Sequence, residues 1–178
     1  MDYYKLNVCG VKRDLPIIKI SDNLKIASFV LLGDAELAAK AGYELSKKID
    51  CDIIVTVEAK GIELAHEIAK SKREKSFIVA RKSVKAYMDK PVSVEVNSIT
   101  TANTQKLFLD FKDAEKIKGK RVALVDDVIS TGQSIAALEA LVEKAGGKVV
   151  QKLAILAEGD AADREDIIYL EKLPLFEV

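Results

Sequence analysis

Two rhythms of apolar residues alternate along this chain. Behind Asp34, Leu37, Ala41, Leu45 and Ile49 recur every four residues, which predicts an amphipathic helix with Asp34 as its N-cap, ending near Lys48. Ile53, Ile54, Val55, Thr56 and Val57 then form a β-branched run that reads as a central strand. The turn Glu58-Ala59-Lys60-Gly61 follows it, and residues 62–69 return to helical period. Residues 76–80 predict the next strand, closed by the basic group 81–85. Periodicity is weak over residues 86–105, which hold Pro91 and a polar tract, as expected of a functional loop or mobile hairpin. Residues 106–110 alternate like a strand, and residues 118–121 form a polar turn. A buried strand at 122–125 leads to a helix at 135–144, a Gly146-Gly147 stop and a strand at 148–157. Residues 1–32 are irregular in pattern and read as a lid or flanking segment.

Strands alternating with helices imply a parallel sheet covered on both faces and built with right-handed crossovers. The expected architecture is one α/β domain over residues 1–178, with hood or flanking segments at 1–33 and 158–178. Ligands of such sheets lie outside the carboxyl ends of the strands, where strand order reverses. Three turns belong to that rim: 58–61, 81–85 and 126–134.

Composition narrows the chemistry. The chain has 178 residues, 49% of them hydrophobic and 31% charged, as in ordinary globular domains. Basic and acidic residues total 28 each, so no global field favours nucleic acid or an anionic membrane, and any anion site must be local. No apolar run approaches the roughly 20 residues needed to span a bilayer. The N-terminus lacks the basic and apolar regions of a secretory signal, so a cytoplasmic protein is expected. Cys9 and Cys51 form no CxxC pair and read as free thiols. The single histidine, His66, leaves almost no material for serine–histidine hydrolysis or a histidine-rich zinc site.

The densest chemistry lies in residues 122–134, where an apolar run ends in Asp126-Asp127 and then Val128-Ile129-Ser130-Thr131-Gly132-Gln133-Ser134. The turn precedes a helix, whose first N–H groups lack helical partners and whose dipole end is positive, so a phosphate is welcome there. Gly132 removes a Cβ that would obstruct close approach, and Ser130, Thr131 and Ser134 add hydroxyl donors. Ser130 and Gln133 also have capping-box spacing. The paired carboxylates suit sugar hydroxyls or magnesium and would repel phosphate itself. Competing motifs are missing: the chain has neither a Gly-x-x-x-x-Gly-Lys-Ser/Thr loop nor a Gly-x-Gly-x-x-Gly after a strand. A receiver-like acidic pocket would need neither the polar loop at 86–105 nor the hydroxyl-rich cradle.

Residues 122–134 resemble the thirteen-residue signature of type I phosphoribosyltransferases, and Val57-Glu58-Ala59-Lys60-Gly61 resembles their pyrophosphate loop. The likeness extends from about residue 36 to 159 and is closest to adenine phosphoribosyltransferases and related purine-type proteins. It implies an open parallel sheet with a small hood and a mobile loop, a magnesium cofactor, and a homodimer. Its substrates would be 5-phosphoribosyl 1-diphosphate and a purine base. On the matching positions, Asp126 and Asp127 would hold the ribose hydroxyls, directly or with magnesium. Val128 to Ser134 would bind the 5′-phosphate. Glu58, Ala59, Lys60 and Gly61, aided by Arg81, Lys82 and Lys85, would form the pyrophosphate site. Residues 86–105 would close as a lid.

Two departures bear on the base. Lys60 stands where the nearest relatives often carry arginine, keeping the charge but losing the planar fork. Ser130 stands where 6-oxopurine enzymes carry an aspartate that handles the N7 proton, and a serine cannot replace it. That favours adenine-type logic, with an acid of the mobile loop assisting, and Glu95 is the nearest candidate. Xanthine, hypoxanthine or guanine as the base stays open, as does a non-catalytic sensor of the diphosphate. Such regulators usually carry an added DNA-binding domain, and about 35 residues before the first helix are too few for one.

Overall fold

A computed structural model describes residues 2–97 and 104–178. Three strands open the chain, β1 (Tyr3–Val8), β2 (Val11–Ser21) and β3 (Leu24–Ala27), followed by helix α1 (Ala35–Ser46). Next come β4 (Ile53–Val57), α2 (Ile62–Ser71) and β5 (Ile78–Ala80), then the antiparallel pair β6 (Val92–Asn97) and β7 (Thr104–Leu109). Helix α3 (Phe111–Ile117), β8 (Arg121–Ile129), α4 (Gln133–Lys144) and β9 (Lys148–Glu158) follow, and β10 (Ile168–Leu173) and β11 (Leu175–Glu177) end the chain.

Five strands form a wholly parallel sheet in the order β10-β9-β8-β4-β5. The chain runs outward from β4 to β5 and returns on the other side of β4 as β8, so strand order reverses between β4 and β8. Both faces of this sheet are covered, which is why its strands read as unbroken apolar runs. Ile54, Ala123, Val125, Leu153 and Ile155 point to the face carrying Leu37, Ala41 and Leu45 of α1 and Leu64 and Ile68 of α2. Their neighbours Val55, Val57, Leu124 and Ala154 point to the opposite face, against Leu138 and Leu141 of α4 and Ile117 of α3. The helices α1 and α2 approach closely at Gly42, where an added Cβ would lie 2.5 Å from Cβ of Glu67.

The predicted helices at 34–48 and 62–69 and the strand at 53–57 stand where the apolar rhythm put them, and the Asp34 carboxylate accepts from the Leu37 amide at 3.1 Å as an N-cap should. Elsewhere the structure corrects the reading. Residues 1–32 are not irregular: β1, β2 and β3 form an antiparallel sheet with β11, in the order β1-β2-β3-β11. Of the C-terminal residues expected in the hood, only β11 joins that sheet, since β10 is the edge strand of the main one. The hood is held down by Arg13 of β2, whose Nε and Nη2 donate to the two Asp34 oxygens at 2.7 and 2.9 Å and whose Nη2 also reaches Glu36 at 3.0 Å. One carboxylate thus caps α1 and anchors the hood. Helix α3 was not foreseen, being too short to show a periodic face. Of the two readings of residues 86–105, loop or hairpin, the structure has the hairpin: residues 92–97 pair antiparallel with 104–109, which takes in most of the strand expected at 106–110, while residues 98–103 lie outside the described residues.

Candidate active site

The reversal between β4 and β8 sets the turn after β4 beside the turn after β8. The two strands pair Thr56 with Val125, so Glu58 and Asp127 emerge as near neighbours on the carboxyl rim. Thr56 Oγ1 donates to the Val125 carbonyl at 2.7 Å, and Gly61 folds back onto this bond. A Cβ on Gly61 would collide with Thr56 Oγ1 and sit 3.1 Å from the Val125 oxygen, so the 58–61 turn lies flat against the sheet because residue 61 has no side chain. The peptide bond between Glu58 and Ala59 is cis.

Asp126 and Asp127 belong to β8 itself, which continues to Ile129, and not to the turn where the sequence reading put them. Both are buried, at 9% and 1% exposure, and both line a cleft of about 480 Å³. The Asp127 amide donates to Asp126 Oδ1 at 2.9 Å. Asp127 Oδ2 has no hydrogen-bond partner among the described residues, and the ammonium of Lys60 stands 3.8 Å away. Burial, reinforced by the Asp127 charge, pushes the Asp126 carboxyl up to about 7, against the pull of its bond from the Asp127 amide and of Lys60. The consequence for stability has a definite sign. Below about pH 4 both folded and unfolded chains hold this proton. As pH rises towards 7 the unfolded chain releases it while the folded one keeps it, so stability falls through that window and the full penalty is present above it. Asp126→Asn lacks the penalty. Its melting temperature should exceed that of the parent by a few °C more at pH 8 than at pH 5, and an equal difference at the two pH values would contradict the burial argument.

Ser130, Thr131, Gly132, Gln133 and Ser134, with Val128 and Ile129, wrap a small depression that opens beside Asp126. Gly132 has φ +79°, a left-handed conformation, and is the N-cap of α4. The expected capping box is therefore absent: the helix begins at Gln133, Ser130 lies outside the cap, and no side chain caps the helix. The head of α4 lines this depression. Behind the cradle, Nη1 of Arg164 lies 2.5 Å from where a Gly132 Cβ would be. Arg164 is fixed by a two-pronged bond to Asp166, at 2.8 and 2.7 Å, and Asp166 also accepts from Lys152, which pairs with Glu139 of α4.

On the β4 and β5 side, the Glu58 carboxylate is turned to its own cations. It accepts from the Lys82 amide at 2.6 Å and stands 2.9 Å from Arg81 Nε and 3.6 Å from Lys85 Nζ. Burial opposes its charge, but the Lys82 amide and the Arg81 and Lys85 charges prevail and hold it below the usual range. Of the three predicted cations, Lys82 lines the cleft, whereas Arg81 and Lys85 close onto Glu58. Backbone bonds of 2.8 Å in both directions between Arg81 and Phe108 tie the β6–β7 pair to this edge. Glu95 faces solvent in an ion pair of 2.9 Å with Lys106, away from the residues that line the cleft.

The cleft thus has a hydroxyl- and amide-lined cradle at one end, an acid pair at its centre and Lys60 and Lys82 at the other. A model of the phosphoribosyl transferase domain matches residues 27–173. The chain belongs to the type I phosphoribosyltransferase family. It is 36% identical over 155 residues to the adenine phosphoribosyltransferase of Thermosipho africanus, covering 79% of this chain and 84% of that one. It is also 33% identical over 141 residues to the hypoxanthine/guanine phosphoribosyltransferase of Methanococcus voltae, covering 78% and 71%. Among solved structures, adenine phosphoribosyltransferase from Thermoanaerobacter pseudethanolicus superposes with a TM-score of 0.67 at 24% identity, over 96% of this chain and 95% of that one. The Giardia lamblia enzyme complexed with 9-deazaadenine gives 0.64 at 17% identity, over 96% and 93%. These likenesses show the fold.

Within this phosphoribosyltransferase, several cleft residues are ones that the sequence places only within hood, flanking, loop or strand segments, without singling them out. Ile26, Ala27, Ser28, Phe29 and Val30 of the hood segment close one wall, with Leu173, Gln105 and Leu107. Their pairing with the rim is a long-range fact that apolar rhythm does not carry. Glu158 also lines the cleft. It ends a parallel strand at the rim, so the rule that ligands gather at strand carboxyl ends could have found it.

Proposed function

We propose that this phosphoribosyltransferase joins a free purine base, adenine first among them, to 5-phosphoribosyl 1-diphosphate and releases pyrophosphate. What carries the proposal is the arrangement of one cleft. A buried carboxylate, Asp127, whose Oδ2 has no hydrogen-bond partner among the described residues, stands between a glycine-centred anion cradle and the cations Lys60 and Lys82. A ribose ring between two phosphate groups has this pattern of donors and charges. Residues 130–134 bind the 5′-phosphate through helix amides and hydroxyls. Asp126 and Asp127 accept from the ribose hydroxyls.

The base forms a bond to the ribose C1 while the bond from C1 to the pyrophosphate oxygen breaks. Positive charge grows on the sugar and negative charge on the leaving group, so Lys60 and Lys82 favour departure and the acid pair favours the sugar cation. Glu58, neutralised by Arg81 and Lys85, orients this edge without meeting the pyrophosphate. Water must be kept out, because it would capture the sugar centre. Glu95 is the candidate for taking or giving the proton on the base, which requires the β6–β7 pair to move towards the cleft from the position described. Among the described residues no group of three or more metal-ligating side chains occurs. Magnesium is commonly held by one or two carboxylates together with water and substrate phosphates, and the buried Asp127 Oδ2, which lacks a hydrogen-bond partner among the described residues, fits such a ligand. Asp126 and Asp127 would hold it, and when bound it would neutralise charge on the diphosphate.

Ser130 supports adenine over 6-oxopurines, since it supplies no carboxylate for an N7 proton, yet the relatives named for hypoxanthine and guanine keep those bases as the second reading. The family resemblance also supports a homodimer and a cytoplasmic place in base salvage, and among the described residues no helix is long and apolar enough to cross a membrane. Incubating the protein with the diphosphate, magnesium and each of adenine, hypoxanthine, guanine and xanthine tests the base. AMP should form fastest by chromatography, and a faster oxopurine nucleotide would overturn the assignment to adenine.

A further inference from the structure

Glu158 is unlike the other acids of the cleft. It is the last residue of β9, one position beyond Ala157, which pairs with Ile129 of β8, and on its other side it pairs with Leu173 of β10. It therefore stands on the rim beyond the acid pair, level with the start of the cradle. Among the described residues its carboxylate has no hydrogen bond and no ion pair, although the residue is half-buried. Burial pushes its carboxyl up, and the charge of Lys60 pulls it back only in part. A half-buried carboxylate with no protein partner is left to accept from water or from a ligand in the cleft.

The surroundings say what that donor is. Leu173 pairs with Glu158, and Phe29, Val30 and Val128 line the same cleft, apolar surface of the kind that receives a flat uncharged ring. Phosphate and pyrophosphate are excluded here, because each would face an unpaired carboxylate. An exocyclic amino group on a ring directs N–H at such an oxygen, whereas an oxo group in the same place directs lone pairs at it. We propose that Glu158 is the specificity-determining residue of the base pocket, accepting a hydrogen bond from the exocyclic amino group of an aminopurine and disfavouring its oxo counterpart. This rests on the purine phosphoribosyltransferase reading above and adds to it the feature of the base that is recognised.

Three proteins test it: the parent, Glu158→Leu, which removes the acceptor, and Glu158→Gln, which keeps one acceptor oxygen. For each, kcat/KM is measured with adenine and with hypoxanthine, alongside the affinity for 5-phosphoribosyl 1-diphosphate. A site built to bond a polar group discriminates strongly against a ligand lacking it, and removing the acceptor erases that gap. The parent should prefer adenine. In the leucine variant the ratio of adenine to hypoxanthine should fall about tenfold or more, with the glutamine variant between the two and diphosphate affinity held. A purely structural role would lower both bases by one factor, and that result, or an unchanged ratio, would overturn the proposal while leaving the purine reading intact. A parent that turns over neither these two bases nor any other purine would instead remove the purine reading, and this inference with it.

Discussion

Asp127→Asn lowers turnover by about 100-fold or more, the scale seen when one preorganised electrostatic group is removed from an active site, and leaves the fold intact. The substitution keeps the side-chain volume and removes one negative charge. Asp127 is 1% exposed, yet its Oδ2 makes no hydrogen bond among the described residues, so what that oxygen loses is its 3.8 Å ion pair with Lys60. Its exposed neighbour Lys60, 3.8 Å away, keeps its solvation. Stability should even rise, because two adjacent buried carboxylates repel and Asp126 already holds its proton towards neutrality under the influence of burial and Asp127. What the variant loses is the charge proposed to face the ribose and its cation. The check is kcat at saturating substrates with a melting curve beside it, and an unchanged kcat would remove Asp127 from the mechanism.

Gly132→Val is expected to weaken the affinity for 5-phosphoribosyl 1-diphosphate by about 100-fold or more through two separate costs. The backbone at φ +79° is a left-handed conformation, which a β-branched side chain adopts only with strain. The added Cβ would also meet Arg164 Nη1 at 2.5 Å, and Arg164 cannot swing away freely while Asp166 grips it with two bonds. Either cost reshapes the turn that presents the α4 amides. Titration of the diphosphate with magnesium present measures the loss, and a parent-like affinity would show that the phosphate binds elsewhere. The same variant with Arg164→Ala separates the two costs: recovered affinity would assign the loss to the collision.

How much of this was legible in the sequence follows from how local each determinant is. The helix from Ala35 to Ser46, the strand from Ile53 to Val57 and the helix from Ile62 to Ser71 are marked by their own side chains, a helical period in the helices and an unbroken β-branched run in the strand, and are readable. The cradle was readable for the same reason, since a glycine between hydroxyls at the head of a helix is a contiguous signal. The hood was not, because β1, β2 and β3 are stabilised by pairing with one another and with β11, more than 145 residues away, and their half-exposed faces show no clear alternation. The acid pair was identified but placed too late in the chain, in a turn and not in the strand, because charged residues within a buried strand run against the usual pattern. Ser130 and Gln133 had the spacing of a capping box, yet Gly132 displaced the cap. Glu158 is marked in the sequence only by its place at the carboxyl end of a strand, and its position in the cleft follows from laying the strands side by side.

The central claim is that one cleft holds 5-phosphoribosyl 1-diphosphate between the cradle and the cations and transfers its sugar to a purine. Pyrophosphate release, followed with the diphosphate and magnesium in the presence and absence of a purine base, tests this most directly. Release should depend on the base, with one pyrophosphate formed per nucleotide. Tight binding of the diphosphate with no pyrophosphate released by any purine would contradict it and make the protein a sensor.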